Sequence, residues 1–304
     1  MAMDKQLQVS SSPHIDIAED TRSLMLDVII ALTPALLLSV FYFGFRALIL
    51  TLISVASCIA FEFLYRRLMK KHTTIGDLSA VVTGILIAFN LPASAPYWMV
   101  VVGAFFAIVI VKQLYGGLGK NFMNPALAAR AFLLSWPTTM STWPKVFEKV
   151  PLIGQTADVV TAATPLAALK SGTLPDNTLM ELLLGQHGGT LGETSAIVLL
   201  IGGVYLVLRK VISPRIPLFY IGTVAVVTFI FPRGGVNNLQ WMLYNVLSGG
   251  LILGAVFMAT DYVTSPVTKG GRALFGIGCG LITVFIRYFG SYPEGVSFSI
   301  LIMN

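Results

Sequence analysis

Apolar residues run along this chain in stretches of roughly 14 to 20, separated by short links rich in Gly, Pro, Lys and Arg. The runs lack the strict alternation of a half-buried strand, and their length suits helices. About 20 apolar residues in a helix cross the ~30 Å hydrocarbon core of a bilayer. Apolar length and Gly, Pro and charge punctuation predict ten helices. Five precede the midpoint, at 24–43, 47–65, 78–91, 97–114 and 122–136, and five follow it, at 193–208, 216–231, 239–258, 272–289 and 295 onward. The last run opens at Gly295 and is still apolar at Met303, so we expect an incomplete last helix, either short or cut.

The expected fold class is therefore an all-α integral membrane protein of about ten transmembrane helices. Tyr115-Gly116 ends the fourth run much as Phe289-Gly290 ends the ninth, a faint internal symmetry. Five spans is an odd number, so a second copy must enter the membrane the other way up, giving two inverted five-helix repeats. The expected organisation is a cytoplasmic segment 1–23, a first repeat 24–136, an extracytoplasmic loop 137–192 and a second repeat 193–304.

Composition agrees with a lipid solvent. The 304 residues are 56% hydrophobic and 11% charged, against roughly a quarter charged in a soluble domain. Residues 1–23 are polar and include Asp4, Asp16, Glu19 and Asp20, so no cleavable signal opens the chain and the first run is read as a retained span. A net charge of +6 does not point to nucleic acid, because Lys and Arg sit mainly in the links. With the N-terminus inside, 13 of the 20 Lys and Arg residues, Lys112 among them, fall in cytoplasmic segments. Both termini are then cytoplasmic and the central loop external. Cys58 and Cys279 lie alone in apolar runs and cannot supply an iron–sulfur cluster's four thiolates.

The central loop is longer than a connection requires, and such loops are usually functional or disordered. Within it stands Asp158-Val-Val-Thr161-Ala-Ala-Thr164-Pro165-Leu166. Taken from the residues alone this is a turn, with Thr164 an N-cap before Pro165 at the first helical position.

The same pattern is similar to the flavinylation motif, Ser/Thr-Gly/Ala-Ala-Thr, of the family that unites the D subunit of Rnf ferredoxin:NAD oxidoreductases with the B subunit of the sodium-pumping NADH:quinone reductase. The resemblance implies that Thr164 carries FMN through its phosphate, with Asp158, Thr161 and Pro165 around it. Ala162 stands where many members have Gly. Ser12-Pro13-His14 and Met25-Leu-Asp-Val-Ile-Ile-Ala-Leu-Thr-Pro34 resemble the family's opening, and the likeness covers nearly the whole chain.

Two further segments share the resemblance. Gly116-Gly-Leu-Gly119-Lys-Asn121-Phe-Met-Asn124-Pro125 combines small residues, amides and a helix start, suited to a polar ring or to a tight turn capped by Asn124. By resemblance, Asn121 and Asn124 are candidates to hold a second, non-covalent riboflavin. Thr260-Asp261-Tyr262-Val263-Thr264-Ser265-Pro266 is polar where an apolar helix should continue. Thr264 and Ser265 could contact a cofactor, or belong to an ordinary surface loop. Asp27, Glu62, Arg130 and Asp261 are charges in or beside apolar runs, each costing at least about 2.5–3.5 kcal/mol at mid-membrane. Asp27, Glu62 and Asp261 are candidates for an ion path. No metal-like His spacing, Ser-His-Asp order or phosphate-binding loop occurs.

The resemblance implies a flavin-bearing membrane subunit, inactive alone, of an ion-pumping complex in a bacterial plasma membrane. Its implied partners are iron–sulfur and flavin subunits, a flavin transferase, Na+ or H+, and lipid. The competing reading is an inverted-repeat channel or secondary transporter without flavin.

Overall fold

The computed structural model describes residues 20–147, 150–152, 164–193 and 195–304, and among these every regular element is helical. A bridge between Pro92 and Thr190 joins two loops. Two long helices open the chain, α1 (Thr21–Phe43) and α2 (Phe45–Leu68). Three shorter ones follow: α3 (Ser79–Phe89), α4 (Tyr97–Phe105, continued to Gln113) and α5 (Pro125–Leu133). The central region holds α6 (Pro137–Met140), α7 (Pro165–Lys170) and α8 (Leu179–Leu184). Then come α9 (Ala196–Leu208), α10 (Arg215–Ile230), α11 (Asn238–Leu247), α12 (Leu251–Leu253, continued to Met258), α13 (Lys269–Phe289) and α14 (Val296–Met303).

Among the described residues α1, α2 and α13 are long and apolar enough to cross a bilayer, and α11 with α12 adds a fourth if the bent pair is one span. That pair corrects the continuous helix expected over 239–258, for the chain turns by 64° at Ser248–Gly250. Gly249 stands there at φ +72°, which favours glycine, and any Cβ would lie 2.4 Å from Leu166 Cδ1. The break exposes the last carbonyls of α11, and buried Arg287 of α13 satisfies them by donating to Asn245 O and, at 3.2 Å, to Ser248 O.

Small residues set one close helix pair. Gly276 and Gly280, four apart on α13, let α10 approach until a Cβ at either would lie 3.0 Å from the Ile216 or Tyr220 carbonyl. The outward faces of α1 and α2 are apolar, as at Phe41 and Phe45, which suits contact with lipid. Lys112, counted from sequence among the cytoplasmic segments, is 1% exposed inside the continuation of α4, where Leu114 N–H bonds Val109 O across an i→i+5 loop.

α5 begins at Pro125 rather than 122, because Asn124 Oδ1 accepts from Ala126 N and Leu127 N and fixes the start. The helix packs among α3, α4 and α14. A separate small cluster, Leu166, Leu169, Leu182, Trp241 and Tyr244, seats α7 and α8 on α11.

Candidate functional site

Thr164 caps α7. Its Oγ1 accepts from Ala167 N at 3.3 Å, and Pro165 occupies the first helical position. The cap expected from sequence is present, yet a bond this long leaves the hydroxyl only lightly held. Asp158 and Thr161 lie outside the described residues. Thr164 and Pro165 line a cleft of about 900 Å3, part of it open to the surroundings. Trp143, Tyr292 and Phe298 contribute aromatic walls, and Arg130, Glu193 and Glu294 line the same cleft.

These charged groups come from distant parts of the chain. Arg130 projects from the last turn of α5 and pairs with Glu294, which precedes α14. Its other nitrogen donates to Asn90 Oδ1 at 2.8 Å. Glu294 Oε1 accepts from Gly250 N at 3.1 Å, tying the pair to the break between α11 and α12. Glu193 stands in a helical turn, Leu191–Glu193, separate from α9, which starts at Ala196 with Ser195 as its cap. The span expected from 193 is corrected accordingly. Burial, then the neighbouring Glu294, push the Glu193 carboxyl up to about 7.

A second cavity, about 710 Å3 with the space open to the surroundings included, lies at the opposite end of α5 and gathers Asn121, Asn124, Lys112, Asp261 and Tyr262. Asn124 Nδ2 donates to Met258 O at 3.2 Å. Asn121 Oδ1 is buried and has no hydrogen-bond partner among the described residues. Burial raises the Asp261 carboxyl above its usual range, opposed by the Val263 amide and Thr264 hydroxyl. Thr264 reaches Asp261 Oδ2 only at 3.4 Å, and Ser265 N donates to Asp261 O at 3.0 Å. Ser265 faces a neighbouring hollow with Arg272 rather than the cavity itself.

The three ion-path candidates do not form one chain of contacts. Asp27 accepts from Tyr205 at 2.7 Å and from Arg209 at 3.3 Å. Glu62 is fully buried and bonded to Lys112 Nζ at 2.7 Å. Asp261 closes its own turn.

Sequence reasoning passed over Glu193, Glu294, Trp143 and Tyr292. Glu294 sits in Ser291-Tyr-Pro-Glu-Gly295, which reads as a solvated link. The available signal was Arg130, a cation in an apolar run that demanded a buried anion.

The sequence profile of the NQR2, RnfD, RnfE family matches residues 8–304. The D subunit of the Na+-translocating ferredoxin:NAD+ oxidoreductase complex of Acetobacterium woodii is 51% identical over 304 residues, covering 98% of this chain and 90% of that protein. The D subunit of the proton-translocating ferredoxin:NAD+ oxidoreductase complex of Clostridium ljungdahlii is 41% identical over 97% of this chain and 91% of its own. The D subunit of the ion-translocating oxidoreductase complex of Stutzerimonas stutzeri is 37% identical, with 92% and 87% covered.

Proposed function

The chain belongs to the NQR2, RnfD, RnfE family, a family of membrane proteins, and from that premise we propose that it is the D-type membrane subunit of an ion-translocating ferredoxin:NAD+ oxidoreductase complex, with FMN esterified to Thr164. The observation that carries the flavin reading is Thr164 itself. It ends the Thr161-Ala-Ala-Thr164 motif and opens with a weakly held hydroxyl onto an aromatic-walled cleft. The residues fit the group. Trp143, Tyr292 and Phe298 suit a planar ring. FMN would supply electron transfer there, and the protein supplies position and electrostatics. Arg130 contributes positive charge at the floor, fixed by Glu294 and Asn90.

In this reading the shorter apolar helices complete about ten spans in two inverted repeats, and α5 and α14, the last helix of each half, pack together. The second cavity fits the polar edge of a non-covalent riboflavin, since the partnerless Asn121 Oδ1 can accept from a ring N–H. The remaining partners are iron–sulfur and flavin subunits, a flavin transferase and Na+ or H+, in a bacterial plasma membrane with both termini cytoplasmic and the Thr164 loop outside. The broken helix at Ser248–Gly250 also suits a channel or secondary transporter, which predicts solute flux and no bound flavin.

Ultraviolet fluorescence on a denaturing gel tests the proposal, after co-expression with a flavin transferase. A fluorescent band in the wild type that is lost in Thr164→Ala is expected. A dark wild-type band, with the transferase active on another substrate, overturns the covalent flavin.

A further inference from the structure

The floor of the Thr164 cleft holds two carboxylates but only one cation bonded to either. Arg130 pairs with Glu294, and Glu193 has no ion pair among the described residues. The two acids share one place. A Cβ built on Gly250 would stand 2.6 Å from Glu294 Oε1 and 3.7 Å from Glu193 Oε1. The second cation nearby, Arg287 on α13, bonds the Asn245 and Ser248 carbonyls through its two terminal nitrogens and makes no ion pair with either acid among the described residues. One turn along from Glu294, Ser297 lines the same cleft. Its Oγ is buried, the residue only 4% exposed, and it has no hydrogen-bond partner among the described residues.

We propose that Glu193, set beside Glu294 in the cleft that Ser297 also lines, is a proton-binding site that takes up and releases one proton. Two neighbouring carboxylates away from bulk water do not both ionise readily, and Arg130 is committed to Glu294, so Glu193 is the member that keeps its proton. The hydroxyl of Ser297 can both donate and accept, and it stands without a partner among the described residues on the lining of the cleft, free to bond a water or hydronium there. A bare metal cation is disfavoured, because Arg130 and Arg287 add positive charge from α5 and α13. Tyr292 is the other titratable group lining the cleft. The hydroxyl and backbone amide of Thr190 lie near Glu193 and favour its charged form without removing the effect of burial. Glu193 is therefore poised to give up or accept its proton near neutral pH. A proton site at this position requires no flavin on Thr164.

The test is an infrared pH titration of the complete complex, wild type against Glu193→Gln. Expected is one protonated-carboxyl stretch, absent from the variant, that disappears with a midpoint near pH 7. Glu294→Gln removes the repelling neighbour and frees Arg130, so the midpoint should fall by about one pH unit or more. Should Glu193→Gln fail to assemble, Glu193→Asp serves, with a band displaced in position and midpoint. A Glu193 that stays ionised down to the ordinary carboxylate range overturns the proposal. So does a midpoint unmoved in Glu294→Gln, and so does a midpoint that shifts with Na+ at fixed ionic strength, which would mark a metal-ion site.

Discussion

Replacing Lys112 with Met tests the buried pair that joins α2 to the end of α4. Lys112 Nζ lies 2.7 Å from Glu62 Oε2 and 2.7 Å from Ser79 Oγ, while Thr74 donates to the other Glu62 oxygen. Both charged side chains are essentially inaccessible. Removing the cation leaves a buried carboxylate uncompensated, a change worth about 3–5 kcal/mol. At roughly 2 °C per kcal/mol for a chain of this size, the thermal midpoint should fall by about 6–10 °C. Removing both charges has a different effect. Glu62→Gln with Lys112→Met leaves no orphaned charge, and neutral replacements of a buried pair are often close to isoenergetic. The double variant should recover more than half of the loss. The assay is thermal unfolding of the purified chain at matched flavin content, because a ligand that binds only the folded state would move the midpoint by itself. A single variant within about 1 °C of wild type would refute the reasoning, as would a double variant that loses the sum of the two single losses.

Other perturbations probe separate contacts. Arg46→Ala removes donors from the Ala93, Ala95 and Pro151 carbonyls, so a loss of about 2–4 kcal/mol and faster proteolysis near residues 150–152 are expected on limited digestion. Gly192→Ala would set a Cβ 2.6 Å from Leu253 Cδ2 and 2.9 Å from the Phe89 carbonyl, and should cost about 1–3 kcal/mol in thermal unfolding. For Glu193, the folded-state value is raised from 4.5 to about 7, so the unfolded chain loses its proton first and stability falls as pH rises through that interval. Glu193→Gln should flatten that part of the stability–pH curve, and a curve parallel to the wild type's would contradict the assignment.

The long helices were legible because length and apolarity alone define them. α1, α2 and α13 lie within a few residues of the runs read as 24–43, 47–65 and 272–289. The caps were legible because they are local: Asn124 and Thr164 each act within three residues of themselves. The break in 239–258 left a trace in Ser248-Gly249-Gly250, but its stability depends on Arg287, about forty residues on, which no local pattern announces. The charges were hardest. Lys112 reads as a helix flank until Glu62 is placed beside it, and Arg130 meets Glu294 across 164 residues. Such pairs are products of the tertiary fold, so sequence could show that a partner was needed without showing which.

α5 is only nine residues long, roughly 14 Å at 1.5 Å per residue, and a cavity meets it at either end. A membrane voltage drops mainly across material that excludes water. If α5 lies along the membrane normal and both cavities are hydrated in the bilayer, the drop is compressed from about 30 Å to about half that thickness, and the local field roughly doubles. An elementary charge that moved only the length of α5 would then sense most of the transmembrane voltage, close to 2.3 kcal/mol for each 100 mV. In this molecule a short step could do the electrical work of a full crossing.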